Sequence, residues 1–429
     1  MLEQRHDERD AGATTVAGAA LHTPADRHAH APIPAHDYAY YREIFAGRRM
    51  PFAFVDLDLL DANIHAVLVR AAGKRVRVAS KSVRCAAMLR RLLAADPSIQ
   101  GLMAFTAREA VWLAAQGFDD LLIGYPCVHP GDLAAVARAT AGGAHITLMV
   151  DSLAQVERIE AAAQAHAVRL PLCLDSDMAL PAPGLHFGTW RSPLRTPADA
   201  RPVLARIIGS AHVYLDGIMG YEAQVAGVGD SYPGKALKNA LVRRLKARSV
   251  REVARRRAAL VQLATEMGAQ LRFVNGGGTG SIATTQREPA VTEITVGSAF
   301  YAPALFDNYH DFRYLPAAGY AIEIVRRPAP GIYTCLGGGY TASGAAGADK
   351  APLPFLPAGA RLDSLEGAGE VQTPIHYAGP ERLDIGDPIF LRHSKAGELC
   401  ERFSSLLLVQ GGAVVGEAAT YRGDGQCFL

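Results

Sequence analysis

The chain is predicted to be an α/β protein: an N-terminal (β/α)₈ barrel followed by a C-terminal, mainly-β domain. Three observations predict this. Eight short apolar runs recur between residues 75 and 299. Most of the stretches between them are rich in Ala, Leu and Arg at helical spacing. Beyond about residue 312 the texture changes to strand-like pieces separated by Gly- and Pro-rich turns. Near-continuous apolar strands alternating with helices mark parallel strands buried on both faces. Eight such units over about 230 residues match a (β/α)₈ barrel in length and count. A doubly wound open sheet is the alternative.

The elements follow in order. Residues 1–35, rich in Ala, His, Thr and Asp without an apolar period, read as a disordered tail; their histidines read as part of it rather than as a metal tract. Residues 36–58 form a lead-in segment whose strand, PFAFVDL (51–57), joins the β-domain. LLDANIHAVLVRAAG (59–73) is a helix stopped at Gly73 and opens the barrel, which spans 59–312. The eight runs are RVRVASK (75–81), QGLMAF (100–105), DLLIGYP (120–126), ITLMVD (146–151), LPLCLD (170–175), HVYLDGIMGY (212–221), LRFVNGGG (271–278) and EITVGSA (293–299). The longest interval holds a helix at 233–264, with ten Lys or Arg over residues 235–257 against one Glu. Its charges read as a solvated face, or as a docking face for an acidic partner or a neighbouring subunit. Residues 313–429 form the β-domain, with strands at AIEIVRRP (321–328), DPIFLRH (387–393), SSLLLVQ (404–410) and AVVGEAATYRG (413–423).

Composition narrows the function. Of 429 residues 49% are apolar and 20% charged, enough for a large core. A net charge of +2 makes no electrostatic case for nucleic acid or an anionic membrane as partner. No apolar run reaches the roughly 18–20 residues that span a bilayer. The start, MLEQRHDERD, lacks the apolar centre of an export signal, so a cytoplasmic protein is expected. Six cysteines without a CxxC pair read as reduced thiols.

In such barrels the functional residues sit at the C-terminal ends of strands. The run at 75–81 ends in Lys81. Desolvation lowers the pKa of a buried lysine and frees its amine to attack a carbonyl, as a Schiff-base lysine must. The alternative is a Lys that emerges into solvent. The run at 271–278 ends in Asn275-Gly276-Gly277-Gly278-Thr279-Gly280-Ser281, and the next in Val296-Gly297-Ser298. Glycines let the backbone approach a ligand, and successive N–H groups with hydroxyls cradle phosphate. Loops after the last two barrel strands commonly hold phosphate. A phosphorylated aldehyde bonded to Lys81 fits both features, and pyridoxal 5'-phosphate is such a compound.

PFAFVDLDLLDANI (51–64), ASKS around Lys81, GYEA (220–223), GGGTGS (276–281) and EITVGSAF (293–300) together resemble the fold-type III pyridoxal phosphate enzymes, in which an alanine racemase-like barrel precedes a β-domain. Within them the chain resembles the D-threonine aldolase and D-serine dehydratase family, from about Pro51 to the C-terminus. The resemblance implies that Lys81 is the Schiff-base lysine and that Gly277, Gly278, Thr279, Gly297 and Ser298 bind the phosphate. It implies that Tyr221 contacts the pyridine ring or the substrate, and that Arg191 is the family arginine, in a segment (174–193) longer than usual.

The chain departs from that pattern in one place. The aldolases and dehydratases carry a His-x-Cys or His-x-Asp metal pair in the β-domain; here the segment is His393-Ser394-Lys395. His393 with Cys400 would suit Zn²⁺, and His393 with Glu398 would suit Mn²⁺ or Mg²⁺. In a metal-free alternative His393 acts as a base or binds the substrate carboxylate. The expected activity is cleavage of the Cα–Cβ bond of a β-hydroxy, D-configured amino acid by a homodimer whose β-domain covers the partner's barrel mouth. An ammonia lyase or a racemase on the same scaffold is the alternative; the extra domain counts against a non-catalytic cofactor carrier. Of the lone residues, His186 reads as packed, Glu109 as a helix cap, Asp175 and Asp177 as a solvated loop or an amine site, and Phe105 and Trp112 as core.

Overall fold

The computed structural model describes residues 36–182, 184–345 and 347–428. The tail expected at 1–35 lies outside them. Strand β1 (Phe52–Asp56) precedes the barrel. The barrel strands are β2 (Arg75–Ala79), β3 (Ile99–Ala104), β4 (Leu121–Pro126), β5 (Ile146–Val150) and β6 (Leu170–Asp177). A short hairpin follows, β7 (Leu180–Ala182) and β8 (Leu185–Phe187); then β9 (Val213–Tyr221), β10 (Phe273–Gly276) and β11 (Glu293–Val296) complete the barrel. It is closed in the order β10-β11-β2-β3-β4-β5-β6-β9, with every pairing parallel. The open-sheet alternative is thereby excluded. The β7–β8 hairpin accounts for the long segment after β6. No described helix is long and apolar enough to cross a membrane.

A second sheet collects the rest: β12 (Ala318–Ala329), β13 (Ile332–Leu336), β14 (Leu353–Leu356), β15 (Arg361–Leu362), β16 (Gln372–His376), β17 (Pro388–Arg392), β18 (Ser405–Gln410) and β19 (Ala413–Ala419). β1 lies inside this sheet, antiparallel to β12 and parallel to β18. Tyr41, Phe45, Phe54 and Phe390 cluster with ring centroids 5.1–6.1 Å apart, and this aromatic core docks the lead-in helix Tyr38–Ile44 on the sheet. Asn63 joins the two parts. Its amide donates to the carbonyls of Phe300 (3.0 Å) and Leu315 (2.7 Å), and its oxygen accepts from Leu315 N–H (2.8 Å).

The end of the barrel opposite the strand tips is closed by charge. Arg77, wholly buried, donates to Glu293 at 2.7 and 3.0 Å and to Asp120 at 3.1 Å. Asn275 donates to the same Glu293 at 2.8 Å. A buried guanidinium is tolerated only while its charge and donors are matched. Glu293→Ala should therefore destabilise the protein by about 3 kcal/mol, the low end for breaking a buried pair, because Asp120 still engages Arg77. Urea unfolding of the variant against the parent reads this difference.

Candidate active site

Lys81 lies just past β2 in the 3₁₀ turn Ser80–Ser82. Three contacts hold that turn. Ser80 Oγ donates to Met103 O (2.9 Å), and the Lys81 carbonyl accepts from Arg84 Nε (2.9 Å) and from Gly397 N–H (3.2 Å). With its backbone fixed from both parts of the protein, Lys81 lines a cavity of about 200 Å³ at the strand ends. Arg191, Tyr221, Gly277, Gly278, Thr279, Gly297 and Ser298 line the same cavity. A second groove runs between residues 47–53 and 403–417 and contains none of them. The convergence of side chains chooses the site.

The glycines shape the wall. A Cβ on Gly297 would lie 2.7 Å from Ser82 Cβ, so only glycine lets the end of β11 close on the Lys81 turn. Gly277 has φ +84°, and a Cβ there would meet Ile294 Cγ2 at 2.5 Å. Its N–H is already spent on Glu222 (3.1 Å), and that of Gly278 on Ser281 Oγ (3.1 Å). These two glycines give room rather than amide donors. Donors come from Thr279 and Ser298. Thr279 Oγ1 accepts from Ala299 N–H (3.1 Å) and keeps its own proton to donate. Ser298 Oγ lies 3.3 Å from Ser82 Oγ, and Ser298 opens a helical turn, so its N–H has no acceptor within that turn. An amine for an aldehyde, hydroxyl and amide donors for a phosphate, and a wall free of Cβ atoms fit pyridoxal phosphate.

Arg191 arrives from beyond the β7–β8 hairpin. Its Nε donates to Asp175 (2.7 Å) and its Nη2 to Gly124 O (2.6 Å); its guanidinium lies 5.1 Å from the Tyr125 ring centroid and 5.9 Å from that of Tyr221. Burial pushes the Asp175 carboxyl up to about 7, against the pull of Arg191. Burial likewise raises the Tyr221 phenol to about 12. Tyr125 behaves differently. Burial would raise its phenol, but the charges and hydrogen bonds of Lys81 and Arg191 outweigh it and hold the group below its ordinary range. Tyr125 lines the cavity, with Lys81 Nζ 6.0 Å from its ring centroid.

His393 and Cys400 do not reach the cavity. His393 is wholly desolvated, which lowers its imidazole to about 4; its Nε2–H donates to Ala396 O (2.8 Å), and Nδ1 has no partner among the described residues. Cys400 is buried, its thiol raised by that burial, and donates to Val83 O (3.3 Å). Glu398 accepts from Ser343 N–H (3.2 Å). No group of three or more His, Cys, Asp or Glu that could hold a metal ion exists among the described residues. The donor set does not fit a metal. The reason is local: the turn after β17 folds the ring back onto Ala396, whose φ is +48°, rather than presenting it outward.

Other expectations also shift. His186 is not packed; it stacks on the exposed Trp190 at 3.8 Å, on the segment that carries the β7–β8 hairpin. Asp175 and Asp177 are buried ends of β6 bonded to Arg191 and Arg195, not a solvated loop. Phe105 is buried and also lines the cavity. The cap expected of Glu109 is Thr106, whose hydroxyl accepts from Glu109 N–H (3.2 Å); the buried Glu109 carboxylate accepts from Phe105 N–H (2.7 Å), ahead of the helix, and from Tyr421 OH (3.0 Å). In the basic helix, Ala236–Glu266, Arg257 is wholly buried on Glu222 and Glu288 (2.5 Å each), and Lys246 on Asp230 (2.9 Å). Sequence reasoning missed Tyr125 and Glu222, and read Lys395 only as a departure from the metal pair. Tyr125 ends a strand run and Glu222 follows Tyr221 in GYEA, so both carried the strand-end signal.

Comparison with known proteins places the chain. A 3-hydroxy-D-aspartate aldolase of Paracoccus denitrificans (strain Pd 1222) is 24% identical over 263 residues, 61% of this chain and 62% of that protein, so the match spans under two thirds of the relative's length. The structure of D-threonine aldolase from Filomicrobium marinum superposes with a TM-score of 0.73 at 19% identity, covering 87% of this chain and 95% of that one. A cysteine-to-alanine variant of D-threo-3-hydroxyaspartate dehydratase, solved in a metal-free form, gives 0.69 at 18% identity over 87% of this chain and 98% of that one. The family described as alanine racemase, N-terminal domain, matches residues 55–304, the barrel with its Lys81 turn and both glycine loops. The chain belongs to that family of fold-type III pyridoxal phosphate enzymes.

Proposed function

We propose that the protein is a pyridoxal-phosphate-dependent aldolase that cleaves the Cα–Cβ bond of D-configured β-hydroxy amino acids to an amino acid and an aldehyde. One observation carries this reading: Lys81, Tyr125 and the Thr279–Ser298 donors converge on one cavity in a chain related to an aldolase. Lys81 would hold the aldehyde end of the cofactor, Thr279 and Ser298 its phosphate, and Tyr221 and Arg191 would contact its ring or the substrate. Bound there, pyridoxal phosphate supplies an electron sink for the pair released when a bond at Cα breaks.

The chain's residues select the bond. Tyr125, kept acidic by its two cationic neighbours, takes the proton of the β-hydroxyl as that oxygen becomes the carbonyl of the leaving aldehyde. Lys81 handles the proton at Cα. Asp175 holds Arg191 against Gly124 and so fixes the charge beside Tyr125. The structural likeness to a D-threo-3-hydroxyaspartate dehydratase favours a second reading, in which Lys81 removes the α-proton and the hydroxyl is expelled, yielding a keto acid and ammonia. We extend the proposal to assembly: a twofold homodimer, the β-domain of one chain shielding the other's cavity from water.

Borohydride treatment of the purified holoenzyme should fix the cofactor to Lys81; a reduced adduct mapped to another lysine refutes the site. Aldehyde released without ammonia from a panel of D- and L-β-hydroxy amino acids supports the aldolase, and ammonia with a keto acid supports the dehydratase. Tyr125→Phe should keep the cofactor's absorbance and lower kcat by about 10²–10⁴, the usual contribution of a positioned acid–base group. An unchanged kcat removes Tyr125 from the chemistry. Sedimentation of a fully active monomer would refute the dimer.

A further inference from the structure

The metal pair that the resemblance implies has Cys or Asp two residues after the histidine; this chain has Lys395 there. The replacement is not neutral. A protonated ammonium has no lone pair to give a metal and repels a dication. His393, the other half of the pair, has already committed its Nε2 to Ala396 O.

Lys395 is more than a lost ligand, for three reasons. It lines the cavity that Lys81 and Tyr125 line. Its backbone is fixed relative to Lys81: the Ser394 carbonyl accepts from Leu305 N–H (3.0 Å), His393 pins Ala396, and Gly397 donates to the Lys81 carbonyl (3.2 Å). A Cβ on Gly397 would stand 2.8 Å from that carbonyl, so the loop is pressed against the Lys81 turn. Finally, its charge is uncommitted. Arg191 is neutralised by Asp175, and Lys81 is reserved for the cofactor. Lys395 Nζ donates to Ser343 O (3.2 Å) and has no carboxylate partner among the described residues. One carbonyl leaves two ammonium protons to bind a ligand.

We propose that Lys395 replaces the divalent cation: its ammonium pairs with an acidic group on the substrate's side chain, so the enzyme works without a metal and prefers amino acids that carry a side-chain carboxylate. The inference rests on the reading of the cavity as a pyridoxal phosphate and amino acid site. Turned from Ser343 O into the cavity that Lys395 lines, its ammonium would give a carboxylate a charge-assisted hydrogen bond and give a methyl group nothing.

The test uses holoenzyme dialysed exhaustively against a chelator, with metal content measured by elemental analysis. The absorbance of the bound cofactor is then titrated with D-aspartate and with D-alanine, neither of which has a β-hydroxyl to cleave. The expected result is sub-stoichiometric metal, binding unchanged by chelation, and a preference for D-aspartate. Lys395→Met should weaken D-aspartate by about tenfold or more and leave D-alanine within about twofold, while Lys395→Arg keeps the preference. A stoichiometric metal whose removal weakens D-aspartate overturns the proposal, as do equal losses for both amino acids in Lys395→Met. If neither amino acid perturbs the cofactor, the reading of the cavity fails with it. If D-alanine binds without any preference for D-aspartate, only the role of Lys395 fails. Aldehyde release is not measured, so the outcome does not depend on the aldolase assay.

Discussion

The site depends on one buried carboxylate. Glu222 accepts from Gly277 N–H (3.1 Å), from the hydroxyls of Ser281 (2.7 Å) and Thr285, and from Arg257 (2.5 Å). Burial alone would push its carboxyl up; the Arg257 charge, then the two hydroxyls, hold it below the usual range. Arg257 in turn donates to Gly220 O (2.7 Å) and to Glu288 (2.5 Å). One ion cluster thus ties the end of β9, the glycine loop after β10 and the long helix Ala236–Glu266. An unpaired charge in this place would cost several kcal/mol, so the three elements keep one arrangement or lose it together. The position of Thr279 in the cavity follows from that arrangement.

A second chain of alternating charge crosses the cavity from β6. Asp175 is bonded to Arg191, and both Arg191 (5.1 Å) and Lys81 (6.0 Å) lie close to the Tyr125 ring. Each link controls the next. Without Asp175 the guanidinium would lose its anchor and the contact that places it against Gly124. The charges of Lys81 and Arg191 together hold the Tyr125 phenol below its ordinary range. The hairpin β7–β8 lengthens the path from Asp175 to Arg191, and β6 runs on to Asp177 to meet it.

The barrel was legible because its signal is local and repeated. Each strand is a continuous apolar run, since both faces are buried, and Lys81 and the two glycine loops stand out as polar tips on those runs. What escaped notice depends on partners far away in sequence. Arg257 looks like any other charge in a basic helix; Glu222, 35 residues earlier, and Glu288, 31 residues later, turn it inward. Asp175 reads as solvated until Arg191 covers it. His186 has apolar neighbours in sequence, but they belong to a surface hairpin. The strands β13 to β16 carry weak alternation because Gly and Pro interrupt that part of the chain, and their register comes from the sheet.

The two parts of the protein divide the work. The residues shared with the family end at 304, and they include Lys81, Tyr125, Arg191 and both glycine loops. That portion also supplies most of the cavity's lining. The wall facing Lys81 comes from beyond it, from the 393–397 loop that Ala304, Leu305 and the Lys81 turn hold in place. A substrate's Cα is fixed by what it shares with every amino acid, whereas its side chain points to whatever that loop presents. Tyr125 of the barrel and Lys395 of that loop both line the cavity, so both parts of the chain shape the space a side chain would enter. In this chain those residues include an ammonium where the metal-dependent pattern has a thiolate or carboxylate. His393 keeps its place in sequence but has become a strut for Ala396. The barrel supplies the Lys81 turn and the glycine loops of the cavity, and the loop after β17 supplies the wall that faces them.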